Sequence, residues 1–169
     1  MNPVPRFDEV HVISDLHLGG RAGFQIFNTT AELVRLIDFL RNESAEKSLA
    51  LVINGDMVDF LAETPARYFD PLGAVEKLDN IVFNPVFAPV WEALRQFVRT
   101  SNRSLVINLG NHDLELALPW VREHLLDVLA DYDLRARGQI TLVLDGTGFR
   151  CQVGRARILC VHGNEVDPW

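Results

Sequence analysis

A chain of 169 residues, 48% hydrophobic and 23% charged, has the length of one domain with a sizeable core and an ordinary globular balance, which excludes a disordered or membrane-embedded class. Its net charge of -7 excludes a broad electrostatic footprint for nucleic acid or anionic lipid. Phosphate chemistry stays open, because clustered carboxylates can hold divalent cations, and a bound cation inverts the local field toward an anionic substrate.

Met1 to Val10 carries no basic segment followed by an apolar run, and no stretch approaches the roughly 18 apolar residues of a spanning helix, so a cytoplasmic location is expected. The first strand is predicted at Val10–Ser14, followed by a polar, glycine-containing loop from Asp15 to Asn28. Thr29-Thr30-Ala31-Glu32 has the form of a capping box, in which a hydroxyl and a carboxylate satisfy free helix N–H groups, and predicts a helix to Arg41. Leu33, Leu36, Ile37 and Leu40 recur at spacings of three and four, the stripe of a core-facing helix. Leu49–Ile53 is too short for a helix and too apolar for an exposed strand, so it reads as a central strand buried on both faces and ended by Gly55-Asp56.

Between Glu63 and Pro89 the periodicity breaks under Pro65, Pro71, Pro85 and Pro89, and an irregular excursion carrying Tyr68, Phe69 and Phe83 is expected. Val90, Trp91, Leu94, Phe97 and Val98 then restore a helix, and Leu105–Leu109 reads as another buried strand. A helix from Pro119 to Tyr132 follows, with proline suited to the first turn and Val121, Leu125, Val128 and Leu129 on its inner face. Three closing strands are predicted at Ile140–Leu144, Phe149–Val153 and Arg157–Val161. Cys151 and Cys160 fit no zinc spacing and are too few for a disulfide framework, so buried reduced thiols are expected. Short apolar runs alternating with helical patterns mark an α/β or α+β layered domain.

Four polar clusters sit immediately after apolar runs: Asp15-Leu16-His17, Gly55-Asp56-Met57-Val58-Asp59, Gly110-Asn111-His112-Asp113 and His162-Gly163-Asn164. In an α/β sheet the carboxyl ends of the strands form the ligand-binding edge, so residues far apart in sequence would converge there. Carboxylate, imidazole and amide donors without a thiol suit divalent manganese, iron or zinc, or magnesium, rather than a structural zinc site. Two ions are favoured over one, because the two oxygens of Asp56 can bridge metals about 3.5–4 Å apart, the spacing that clamps both oxygens of a phosphoryl displacement. Glycine before Asp56 permits a sharp turn and close backbone approach. Taken singly, each cluster has a plainer reading: a polar turn at Asp15 and His17, a helix N-terminal carboxylate pair at Asp56 and Asp59, a turn cap at Asn111.

In order and context, Asp-x-His, Gly-Asp-x-x-Asp, Gly-Asn-His-Asp and a later His-Gly resemble the calcineurin-like metallophosphoesterases, over Val10 to Asn164. The resemblance implies a layered β-sheet sandwich flanked by helices, one domain across residues 1–169, and hydrolysis of phosphate mono- or diesters, or a pyrophosphate bond, by a hydroxide activated by two metals. It implies that Asp15 and His17 bind the first metal, Asp56 bridges, and Asn111 and His162 bind the second. It also implies that His112 sits beside the phosphate as general acid or electrostatic stabiliser, while Asp59 accepts its other N–H and fixes its tautomer. The implied partner is a small phosphorylated substrate. Arg21, Arg67 and the aromatic residues of the irregular segment are candidates for holding it, with surface arginine and ordinary packing as the plainer reading. Asp15-Leu16-His17-Leu18-Gly19 is similar to the stretch in bacterial nucleotide-sugar-lipid pyrophosphatases, but those usually carry arginine where this chain has His112, which counts against a lipid-precursor substrate.

The family closes its site with Gly-His-x-His, and no such motif follows His162. His11, inside the first predicted strand, and His124, read as a solvated helix residue, are poor substitutes. The chain is expected to be C-terminally incomplete, a fragment breaking off at Val166-Asp167-Pro168-Trp169, with a naturally shortened relative as the other explanation. The rival function is therefore a catalytically inactive phosphoesterase-like domain that binds a partner or ligand. A nuclease is disfavoured by the acidic balance and the lack of a basic stripe.

Overall fold

The computed structural model describes residues 4–163; Asn164 and the ending 166–169 lie outside the described residues. The chain forms β1 (Arg6–Phe7), β2 (Glu9–Ile13), α1 (Thr30–Arg41), β3 (Leu49–Asn54), α2 (Ala74–Val82), α3 (Ala88–Arg99), β4 (Arg103–Asn108), α4 (Pro119–Ala130), α5 (Leu134–Arg137), β5 (Ile140–Val143), β6 (Phe149–Val153) and β7 (Ala156–Cys160), with short 3-10 turns at Phe60–Ala62 and Leu114–Ala117. β2, β3, β4 and β5 make a parallel sheet in that order, and β1, β6 and β7 make a second sheet with β6 and β7 antiparallel. The expected layered α/β sandwich is what the chain adopts.

Because side chains alternate across a strand, each central strand feeds two cores. Leu49, Leu51 and Ile53 of β3 and Leu105 and Ile107 of β4 pack with Leu33, Ile37 and Leu40 of α1 and with Trp91, Leu94 and Phe97 of α3. Val52 and Val106, on the other face, pack with Phe149, Cys151 and Cys160 of the small sheet. Right-handed crossovers between parallel strands laid down in sequence order carry every helix to the same side, which leaves the opposite face free for the second sheet. Both cysteines are free and buried there, as expected.

At the end of the sheet away from the polar clusters, the buried Arg103 at the start of β4 donates to the carbonyls of Leu40, Glu43 and Lys47. The first of these lies in the last turn of α1, where a cation also complements the helix dipole. The strand starts are thereby tied down, and register carries that order to the strand ends.

Three expectations need correction. Residues 74–82 form α2 within the segment read as irregular. Pro71 and Pro85 flank this helix rather than interrupt it, and Ala74, Leu78, Ile81 and Val82 face the core at helical spacing. Thr29 is the N-cap of α1, but its side chain makes no cap hydrogen bond, since its ψ of 38° is not the extended conformation that aims a hydroxyl at the first turn. His124 is half-buried and its Nε2 lies 2.6 Å from Asp79 Oδ1, a link between α4 and α2 rather than a solvated residue. Among the described residues, no helix is long and apolar enough to cross a membrane.

Candidate metal centre

Each polar cluster is the first stretch of chain after a strand: Asp15 and His17 follow β2, Asp56 and Asp59 follow β3, Asn111, His112 and Asp113 follow β4, and His162 follows β7. The loops are stitched to one another by main-chain hydrogen bonds, with Asp15 N to Gly55 O at 3.2 Å, His17 N to Asp56 O at 2.8 Å, Asp59 N to Leu18 O at 2.9 Å and Phe60 N to His112 O at 3.2 Å. Buried Leu16, Leu18, Met57 and Val58 alternate with the polar residues and pin the loops to the core. Asp15, His17 and Asp56 all have positive φ, at 56°, 44° and 51°. Left-handed backbone at three non-glycine residues is costly, and its concentration at one spot marks a site held for something other than stability.

The seven side chains singled out by the resemblance meet at this edge. Asp56 Oδ2 lies 3.6 Å from His17 Nε2 and 3.3 Å from His162 Nε2, while Asp56 Oδ1 accepts from His112 N at 2.9 Å. Asp59 Oδ1 caps the 3-10 turn by accepting from Leu61 N and Ala62 N. Its Oδ2 faces His17 Nδ1 at 3.4 Å and His112 Nδ1 at 3.2 Å. Neither approach has hydrogen-bond alignment, so both ring nitrogens are buried without a partner. The two rings meet edge-on with centroids 4.7 Å apart. Asn111 Oδ1 stands 3.2 Å from His162 Nε2.

Glycine is required at two points here. A Cβ on Gly55 would overlap the His162 ring, and one on Gly110 would overlap Asp56. Asp113, fully buried, joins the loops after β3 and β4: its Oδ1 accepts from Gly110 N at 2.7 Å and its Oδ2 from Met57 N at 2.8 Å. Burial pushes its carboxyl up to about 7 in spite of these two donors, and the nearby Asp56 charge pushes the same way. It supports the two loops.

The donor chemistry fits a pair of divalent cations. His162 Nδ1 lies 3.0 Å from the carbonyl of Asn54, which can only accept, so Nδ1 is the nitrogen placed to donate and Nε2 is the one left to bind a cation. Nε2 is turned toward Asp56 Oδ2 and Asn111 Oδ1, so a cation here would meet one nitrogen and two oxygen donors. Two sets of side chains bring ligand atoms within 4.8 Å of one another, His17 with Asp56 and His112, and Asp15 with Asp56 and His162. Asp56 belongs to both. The second set groups Asp15 with His162, whereas the resemblance pairs it with His17. Among the described residues, the only side chains at ion-pair distance from Asp56 and Asp59 are histidines.

Two further residues were not singled out from the sequence. Asn54 and Asn108, the last residues of β3 and β4, hold the end of β7 through their amides. The available signal was the repeated Val-Ile-Asn at 52–54 and 106–108. Of the other candidates, Arg67 pairs with Asp70 at 3.3 Å, while Arg21 is exposed beside Gly20, Phe24 and Ala62.

A model of the calcineurin-like phosphoesterase family matches residues 9–169, and the chain belongs to this family. No curated protein and no solved structure matches it.

Proposed function

We propose that this chain hydrolyses phosphate mono- or diesters, a pyrophosphate bond being within the same chemistry, at a two-cation site on the carboxyl edge of the parallel sheet. The observation that carries this reading is the position of Asp56, whose carboxylate is common to both groups of ligand atoms. Asp15 and His17 would hold one cation with Asp56, and Asn111 and His162 the other. The ions would be manganese, iron, zinc or magnesium, which suit an oxygen and nitrogen donor set. When bound, two such cations supply a lowered pKa for the attacking water and neutralisation of charge on the phosphoryl oxygens.

The protein's own part is positional. The Asn54 carbonyl holds His162 in the tautomer that presents Nε2. His112 is half-buried at the rim, with its ring against that of His17, where it can protonate a departing alkoxide. Asp59, fixed by its cap on the 3-10 turn, places one carboxylate oxygen 3.2 Å from His112 Nδ1, close enough to accept that N–H and orient the ring once it turns into line. It is a positioning residue, since it acts through His112.

The test is manganese-stimulated hydrolysis of an aryl phosphodiester and an aryl phosphomonoester, with bound manganese measured in parallel. Manganese-dependent turnover is expected, and His112→Ala should lower it by about 10²–10⁴-fold while bound manganese stays unchanged. His112 also lies within the ligand group of His17 and Asp56, and loss of manganese in His112→Ala would make it a ligand instead. Manganese binding without hydrolysis would favour a catalytically inactive binding module. Failure to bind divalent cations would sink the two-cation reading and leave the inactive binding module.

A further inference from the structure

We propose that Asn54 and Asn108 form an amide clamp between the two sheets that positions His162 for a divalent cation, an inference that rests on the two-cation reading above. The two asparagines are direct partners in the β3–β4 register. They lie two residues beyond Val52 and Val106, on the face turned to the small sheet. β7 ends on that face at Cys160, and its last carbonyls arrive where the parallel sheet offers side chains rather than a strand edge. The carbonyl of Cys160 is buried there, and leaving it without a donor is unfavourable.

The amides supply those donors. Asn108 Nδ2 donates to Cys160 O at 3.0 Å and to Asn54 Oδ1 at 2.6 Å, and Asn54 Nδ2 donates to Val161 O at 2.7 Å. Main-chain carbonyls can only accept, so the two carbonyls fix which way round both amides sit. The arrangement leaves the buried Asn108 Oδ1 without a protein partner. The residue after Val161 is His162, whose Nδ1 reaches Asn54 O and whose ring lies over Gly55. Asn54 therefore touches this segment twice, with its side chain on Val161 and its carbonyl on the His162 ring. A ligand must be held to about 0.5 Å of its productive place, and His162 follows a strand that belongs to the other sheet. Gly55 leaves room for the ring, and the clamp decides where it sits.

The rival reading is that the amides only close the end of the inter-sheet contact. Asn108→Leu and Asn54→Ala in the full chain separate the two, with folding followed by circular dichroism and thermal melting. Asn54→Ala keeps the carbonyl that His162 uses, so it tests the side chain alone. In manganese titrations, wild type should bind two ions, and each folded variant should weaken one of them by about 10–100-fold while leaving the other within about threefold. In long-range proton–nitrogen spectra of the metal-free protein, His162 should be the Nδ1–H tautomer in wild type and a mixture of tautomers in the variants. Unchanged affinities and an unchanged tautomer in a folded variant would overturn the clamp. So would an Nε2–H tautomer in wild type, a measurement that needs no variant. If wild type binds no manganese, the two-cation reading fails, and the spectra alone still decide whether the asparagines orient His162.

Discussion

Two groups of buried carboxylates lie on either side of Phe60, and they are neutralised in opposite ways. Behind it, the buried Asp70 meets Lys77 Nζ at 3.2 Å and Arg67 Nη1 at 3.3 Å, and Lys77 also donates to Phe60 O at 3.5 Å. Glu115, equally buried, accepts from Asp70 N at 2.9 Å. Burial pushes the Asp70 carboxyl up, but the hydrogen bonds from Lys77 and Gly73 and the charges of Lys77 and Arg67 hold it below its ordinary value. In front, Asp56 and Asp59 face imidazoles and main-chain N–H groups. One cluster carries its own cations and ties the segment 67–77 to the core. The other collects negative charge and ring lone pairs around a shared carboxylate, which is the electrostatic form of a place for ions from solution.

The largest test of this contrast is Asp56→Asn. It removes the carboxylate common to both ligand groups, so manganese-dependent hydrolysis should fall by about 10³-fold. Manganese at 100 times its dissociation constant should stabilise wild type by about 2.7 kcal/mol, and that increment should vanish in Asp56→Asn when melting curves are recorded with and without the ion.

Lys77→Met should do the reverse. Leaving Asp70 without its buried partner should lower the melting temperature by several degrees, yet the rise caused by manganese should survive in full. The pH dependence has the matching sign. A carboxyl held below its ordinary 3.8 stabilises the fold fully above about pH 4 and loses that contribution as pH falls through the folded value. Acid melts of wild type should steepen in that window more than those of Lys77→Met.

Asp113→Ala is the smallest of the three. It strips the acceptor from Gly110 N and Met57 N, and should cost about 2 kcal/mol by denaturant unfolding. Manganese should recover part of the loss, because it draws together the two loops that Asp113 joins.

Much of the architecture was legible because it rests on local periodicity. The stripe of Leu33, Ile37 and Leu40, the continuous apolar run of β3 and the four polar strand ends each lie within a few residues of chain. α2 was hidden because its flanking prolines resemble helix breakers, and because Lys77, which faces inward, looks like a surface residue until Asp70 is found beside it. The contacts of Asn54 and Asn108 were not legible, since their partners Val161 and Cys160 lie more than fifty residues away.

The kinds of donor, their order and their placement at strand ends are written in the amino acids, because hydrophobic alternation and glycine conformational freedom act over a handful of neighbours. Which donors share Asp56 is a matter of distance in space. It depends on the β2–β3–β4 register, on the Asn54–Asn108 contact to β7 and on the room left at Gly55 and Gly110. Those are contacts between segments far apart in the chain, and they exist only once two sheets have packed with Val52 and Val106 between them.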